Sequence, residues 1–396
     1  MILKVAIIGA SEFQVPLVQY CNNIGIESHV FAWEKGAIAK KIATKFYPIS
    51  ITDFENIYKK CKEINVDGIC SIGSELAMLT VSKVASRLKL YSNSENSAKL
   101  TQDKGQMKVS FKKFGVACAD GMEFFELKKA EKYATNLLQI YNSIIVKPTD
   151  RSGSLSISQV KSIDQLSKAF CAARKSSFTE SVIIEEYING NEYSIETISY
   201  KGIHKTIAIT KKYTTESPYF VENGHYQPSD LSKSILNKIK LLIIKALNSL
   251  DIKNGISHAE IKILKDGKIK VIEVGGRMGG DFIGSHITKY STGVDLIKAA
   301  LEISIGKFKW SNFEIKKSIP SGVVFFTSSK NGRLISCKKT TIRNRKIHEE
   351  FINKKQNDQI EMTTNSGNRF GYIIYSGDII STNEALKHFG VKIITE

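Results

Sequence analysis

The segment Asn254–Gly284, NGISHAEIKILKDGKIKVIEVGGRMGGDFIG, gathers acid, base and glycine in an order that can handle a metal and a phosphate. Asp266-Gly267 joins two short apolar, β-branched runs, a strong hairpin signal. A two-residue turn pairing Lys265 with Lys268 sets Ile261 opposite Ile272 and Glu260 opposite Glu273. Like charges directly opposite one another destabilise an antiparallel pair. A divalent cation between them removes the conflict, because hard cations take carboxylate oxygens. Glu260 and Glu273 are therefore the candidate metal ligands. In the GGRMGG exit the glycines allow close backbone approach, and Arg277, with the parity of Glu273, offers a planar guanidinium to phosphate or carboxylate. The competing reading is an exposed hairpin with a glycine-rich exit. A three-residue loop with a bulge at Gly267 breaks the expected pairing.

Other stretches add to this site. Lys147-Pro148 opens a small polar loop in which Ser152, Gly153 and Ser154 offer free N–H groups for a phosphate cradle. It lacks the GxxxxGK[ST] pattern and is not a P-loop. An apolar run ends in Glu185-Glu186-Tyr187-Ile188, followed by NGNEYSIETISYKG, read as a strand pair between Asn189-Gly190 and Gly202. Such an edge can bond a flat heterocycle, with Glu192 placed for a hydroxyl pair. Residues 213–230 read as a long aromatic, polar loop, a length that is usually functional or disordered. Glu222, His225 and Tyr226 within it are candidate substrate contacts. His258 has the parity of Glu260, so it lines the same pocket or serves as a structural histidine.

These groups need a scaffold. Residues 1–95 alternate strand and helix as a small doubly wound α/β unit. Strands fall at Lys4–Ile8, 28–33, 46–49 and 68–72, and helices begin after Asp53 and at Ser74. The first turn, GASEFQ, is not a dinucleotide fingerprint. Carboxyl ends of parallel strands line ligand crevices, which makes Glu75 a further substrate candidate. A polar linker spans 92–98. Helices follow at 101–114 and 127–138, with strands near Val116, at 144–147 and at 182–186. Further helices span 231–250 and 288–304, the latter containing SxGxD. Beyond residue 307 come strands at 322–327, 334–338 and 370–376 and a helix at 383–388. This C-terminal α+β piece holds no catalytic constellation and is expected to serve packing or dimerisation.

With 396 residues the chain can form two or three domains, and 42% hydrophobic and 24% charged residues are those of an ordinary globular protein. No apolar run reaches the ~18 residues of a membrane span. MILKVAIIGA reads as a strand rather than a secretory leader. Six scattered cysteines without a CxxC pair argue against zinc and disulfides and for a cytoplasmic setting. The net charge of +18 is spread as lysine over helices and hairpins, with no basic block interleaved with aromatics, so no specific nucleic acid partner is expected.

In order, the N-terminal α/β domain, a lysine after the polar linker (Asp103-Lys104), IVKP, the Gly/Ser loop, EEYINGNEYSIE, HAEIK and IEVGGR resemble the ATP-grasp superfamily over nearly the whole chain. SHAEIK, EVGGRMGGDFI, STGVD and FVENGHYQP look most like bacterial L-amino-acid ligases and related carboxylate–amine ligases. The resemblance implies a fold of mixed α/β and α+β class. Its parts are an N-terminal α/β domain (1–95), a central ATP-grasp domain of two α+β subdomains (96–306, with a lid at about 115–187) and a small C-terminal α+β domain (307–396). It implies that ATP and Mg2+, or Mn2+ in its place, bind here. Lys104 and Lys147 would meet the phosphates under Ser152, Gly153 and Ser154. Glu185, Glu186, Tyr187 and Ile188 would hold adenine, and Glu192 the ribose. Arg277, with Gly279 and Gly280 nearby, would hold the acyl phosphate or the acceptor carboxylate. Asparagine often follows the second metal glutamate by two residues in this superfamily; here the position is Gly275. The implied reaction converts an acid to an acyl phosphate and condenses it with an amine, with small-molecule partners and often a homodimer. The alternatives are bicarbonate activation as in carboxylases and carbamoyl phosphate synthetases, a nucleic-acid-binding protein using the positive charge, and a non-catalytic nucleotide-binding regulator.

Overall fold

The computed structural model describes residues 2–151, 153, 155–215 and 219–395. It is built on four sheets. The N-terminal sheet is parallel, in the order Lys45–Tyr47, Glu27–Phe31, Lys4–Ile8, Gly68–Cys70. Two of its helices, Phe54–Ile64 and Glu75–Leu88, start where side chains satisfy free N–H groups. Asp53 accepts from Asn56 N, and Ser74 accepts from Ala77 N. This unit shares one apolar core with helix Leu296–Ser304 and with Ile198 and Ile256 of the long sheet, which fixes it against the rest of the chain.

The long sheet is antiparallel and eight-stranded, in the order Ile269–Gly275, Gly255–Leu264, Gly190–Tyr200, Ile203–Thr214, Glu222–Gln227, Ser321–Phe325, Gly371–Ser376, Lys346–Ile352. Helices Lys104–Lys113 and Lys233–Ser249 pack on its first strands through Met107, Phe111, Ile239 and Ile243. A separate antiparallel sheet, Gly121–Phe124, Val182–Glu186, Ile144–Pro148, Ser158–Val160, carries helices Leu127–Ile140 and Leu166–Ser176 on one face. The last sheet joins Gln359–Ile360, Gly332–Ser336 and Val391–Thr395 beside helix Thr382–His388.

Several expected boundaries move. Half of the 92–98 linker is helix, because Ser94 caps Glu95–Gln102, and the expected 101–114 helix restarts at Asp103, whose carboxylate takes Gly105 N and Gln106 N. Near Val116 there is only a bridge from Cys118 to Val271. The expected pair within 190–202 is one strand, whose hairpin partner begins after Gly202. The 213–230 loop contains the strand Glu222–Gln227, which pairs on both edges. The 288–304 helix breaks at Gly293 (φ +82), and Asp295 caps the second piece, Leu296–Ser304. The C-terminal strands Ser321–Phe325 and Gly371–Ser376 extend the long sheet, so that sheet runs unbroken across residue 306.

Candidate active site

A cleft of about 390 Å³ lies between the lid sheet and the long sheet. Lys104, Lys147, Arg151, Lys212, Lys262, Arg277 and Arg369 line it, and so do Glu185, Glu186, Glu192, Glu222, Glu260, Glu273 and Asp281. These lysines, arginines and carboxylates are equal in number, so most of the +18 of the chain lies elsewhere.

Glu260 and Glu273 stand directly opposite each other, as expected, but by a different route. Leu264 N bonds Lys268 O and Gly267 (φ +80) closes a longer turn, which by itself shifts the pairing by one residue. A bulge between Glu260 and Ile261 restores it. A bulge leaves one residue extra on one strand. That is how both Ile272 and Glu273 come to line the cleft, where a regular strand would present one of them. A second irregularity, opposite Tyr213 and Thr214, lets Glu222 and His225 both face the cleft.

The like-charge conflict is met by lysines from distant elements, which the hairpin alone did not reveal. Lys212 Nζ lies 2.6 Å from Glu260 Oε1, and Lys104 Nζ lies 3.2 Å from Glu273 Oε2. Lys212 also reaches Glu192 at 2.7 Å and Glu222 at 3.6 Å. Burial works to lower the Lys212 ammonium, but Glu192, Glu260 and Glu222 hold it well above the usual lysine range. Burial likewise works to raise the Glu260 carboxyl, yet Lys212 and His258 hold it well below the carboxylate range.

Behind Glu260, His258 bonds Glu196 through Nδ1 and lies 3.4 Å from Glu260 through Nε2. Against burial, which lowers it, Glu196 and Glu260 push His258 up to about 9. Glu196 is wholly buried and also accepts from Gly279 N at 3.0 Å. This brace was missed; its signal was the cross-strand pairing of Glu196 with His258. Gly279 packs onto Glu196 and His258 behind the cleft wall, so it is not a cleft residue, whereas Gly280 is.

Lys147, on strand Ile144–Pro148, ion-pairs with Glu185 on strand Val182–Glu186, and Lys108 lies 3.0 Å from the other Glu185 oxygen without hydrogen-bond geometry. Burial would raise Glu185, but Lys108 and Lys147 draw it down to about 2. Glu186 bonds Lys270 and accepts from Asp120 N at 3.0 Å, so both glutamates are committed to protein partners. Tyr187 and Ile188 line the cleft, as does Gly153; Ser152 and Ser154 lie outside the described residues. Lys104, first residue of its helix, is tied to that loop: its N–H bonds Thr149 O at 3.0 Å and its ammonium bonds Arg151 O at 2.7 Å.

Arg277 faces the cleft and bonds Glu75 at 2.7 Å. Glu75 is held by Arg277 and is not among the residues that line the cleft. His225 is 2% exposed, and neither ring nitrogen has a hydrogen-bond partner; Asp281 lies 3.7 Å away. Its neighbour Tyr226 points the other way, donating to Gly377 O at 3.0 Å and packing against the C-terminal core, so it is no substrate contact. The alternation of a strand dictates this outcome. Arg369 and Ser366 also line the cleft, which corrects the expectation that the C-terminal piece stays out of the site.

The donor set fits a magnesium ion of one kind only. Among the described residues no group of three or more His, Cys, Asp or Glu is placed to cage a metal. Two carboxylates alone suit an ion that keeps waters and takes its remaining oxygens from substrate phosphates.

An α/β unit, an antiparallel sheet and a smaller lid closing on a charged cleft define the ATP-grasp architecture. Residues 140–285 match the ATP-grasp domain family model. An alanine–anticapsin ligase from Bacillus subtilis is 27% identical over 271 residues, 63% of this chain and 56% of that relative, so the chain covers little more than half of its curated relatives. Two solved structures share the fold: an L-amino acid ligase from Bacillus licheniformis (TM-score 0.79, 20% identity, 100% and 99% of the two chains) and a phosphoribosylglycinamide synthetase from Anaerococcus prevotii (0.76, 22%, 100% of both).

Proposed function

We propose that the chain is an ATP-dependent carboxylate–amine ligase that joins an amino acid or similar acid to an amine, releasing ADP and phosphate. The observation that carries this reading is the convergence of Lys104, Lys147, Arg277, Glu260 and Glu273 on one cleft. The names of the relative and of the first fold neighbour support an amino acid as one substrate.

In this reading the Ile188 main chain, with Glu185, Glu186 and Tyr187 around it, receives adenine, and Glu192 takes the ribose hydroxyls. Lys104 and Lys147 hold the phosphates beneath the Gly153 loop. Glu185 fixes Lys147, so the ammonium is already aimed and little order is lost on binding. Glu260 and Glu273 would hold magnesium, which would supply charge neutralisation for phosphoryl transfer. A carboxylate oxygen of the acid bonds the γ-phosphorus as ADP leaves. The amine nitrogen then bonds the acyl carbon, the C–O bond to phosphate breaks, and the amine proton passes to solvent or phosphate. Arg277 holds the anionic group throughout. Glu222 and His225 face the substrate end, where the unbonded His225 nitrogens favour a polar substrate group.

Among the described residues no helix is long and apolar enough to cross a membrane. We place the enzyme in the cytoplasm, acting on small molecules.

The test is ADP release from MgATP across a panel of amino acids, singly and in pairs, with and without bicarbonate. ADP release that needs amino acids and yields an amide supports the ligase. Release that needs bicarbonate and no amino acid moves the reading to carboxyphosphate chemistry. No ADP release under any condition, with steeply salt-dependent DNA or RNA binding, would move it to a nucleic-acid-binding protein.

A further inference from the structure

Lys212 was absent from every motif in the sequence, yet its side chain, 3% exposed, lines the cleft. Its ammonium touches Glu260, assigned to the metal, and Glu192, assigned to the ribose, and lies 3.6 Å from Glu222 at the substrate end. Four strands deliver these groups: Ile203–Thr214 carries the lysine, and the carboxylates come from its chain neighbours Gly190–Tyr200 and Glu222–Gln227 and from the more distant Gly255–Leu264. Glu273 in turn has Lys104 at 3.2 Å. Both proposed metal ligands are thus neutralised by the protein itself.

A bare divalent cation approaching this cluster meets an ammonium already held by carboxylates. It must lose tightly held water and push that charge aside inside a low-dielectric cleft. Nucleotide changes the balance. Its phosphates bring negative charge that occupies Lys104 and frees Glu273, and they supply the oxygens that the two carboxylates lack. Lys212 can then yield Glu260 while keeping Glu192 and Glu222.

We propose that Lys212 is the resident counter-cation of the cleft, so that divalent metal enters only together with nucleotide. Lys212 is a positioning residue: in the metal-free state it holds the metal, ribose and substrate carboxylates in one cluster. This rests on the nucleotide site proposed above.

The experiment follows Mn2+ binding to the full chain by electron paramagnetic resonance, with and without ADP, for wild type and Lys212→Met. Wild type is expected to bind Mn2+ weakly alone and more than about tenfold tighter with ADP. Lys212→Met is expected to bind Mn2+ alone more than about tenfold tighter than wild type does. Its metal-free melting temperature should fall and rise again with Mn2+, a recovery that a merely packing role would not give. Wild type binding Mn2+ alone as tightly as with ADP overturns the proposal, as does a Lys212→Met variant with no gain. If Lys212→Met does not fold, the wild-type comparison and Lys212→Arg decide: the arginine variant, which keeps the charge, should resist Mn2+ alone as wild type does. ADP binding measured by calorimetry separates the two failures. No ADP binding defeats the nucleotide reading, whereas ADP binding beside a tight ADP-independent Mn2+ site defeats only the role of Lys212.

Discussion

Arg369 grips Asp281 through both arms of its guanidinium, at 2.7 and 2.9 Å, across the seam between the C-terminal segment and the glycine-rich exit of the Glu260/Glu273 hairpin. The guanidinium also lies 3.9 Å from the centre of the Phe325 ring. Asp281 and Phe282 are consecutive non-glycine residues in the left-handed region, at φ +48 and +64. Such a turn persists only where its surroundings hold it. Arg369→Ala should cost about 1–2 kcal/mol of stability, the pair being partly exposed. It should also raise the KM for the amine or amino acid while leaving ADP affinity unchanged. Denaturant melts and ADP-release kinetics check both parts, and Arg369→Lys should recover less than half of the loss because a lysine cannot bond in two places.

Glu260→Gln and Glu273→Gln should each lower ADP-forming turnover by at least about 100-fold. Each variant takes a carboxylate away from a buried lysine, Lys212 or Lys104, so the melting temperature should fall while circular dichroism at room temperature still shows the folded chain. Loss of nucleotide-dependent Mn2+ binding should accompany the loss of turnover. A variant with full turnover would remove the residue concerned from the metal site.

Acid should act through Glu185. Its carboxyl is held at about 2, below its ordinary value near 4.5, with Lys108 and Lys147 as the stabilising partners. A group whose carboxyl is depressed in the folded chain lends stability that is complete above the unfolded value and is lost as pH falls. The protein should therefore lose stability between about pH 4.5 and pH 2. In Glu185→Gln the acid slope should be shallower, and the plateau at neutral pH lower because two buried lysines lose their partner. Urea unfolding at stepped pH reads both.

Gly279→Ala tests the brace behind the cleft. A Cβ at this position would come within 2.5 Å of Glu196 Oε1 and 2.6 Å of His258 Nδ1. The expected cost is about 1–3 kcal/mol, together with reduced turnover through displaced His258 and Glu260. Gly280→Ala, with nothing within 4 Å of the added carbon, should be far milder in the melt.

The local features of the fold were legible in the sequence. Asp53 and Ser74 begin helices because their side chains accept the free N–H groups of the first turn, a pattern confined to a few residues. The strand ending in Lys147 was read from its apolar run. The facing of Glu260 and Glu273 was also expected, but the expectation assumed a shorter turn and no bulge, and these two departures cancel. What escaped was non-local. Nothing near Lys212 in the chain announces three carboxylates from three other strands, and nothing near Arg369 announces Asp281. The bulge beside Glu222 sits inside the aromatic, polar stretch 213–230 that reads as a loop.

The long sheet does not stop at residue 306. Strand Glu222–Gln227, which turns Glu222 and His225 toward the cleft, hydrogen-bonds along its outer side to Ser321–Phe325. Trimming the chain to its nucleotide-binding portion would strip that neighbour away and leave a raw row of amides and carbonyls beside the substrate end. Such a fragment should recognise its acid or amine poorly and stick to its own copies edge to edge. On the proposed ligase reading, a minimal version of this protein therefore has to retain the tail as part of the wall around its reactants.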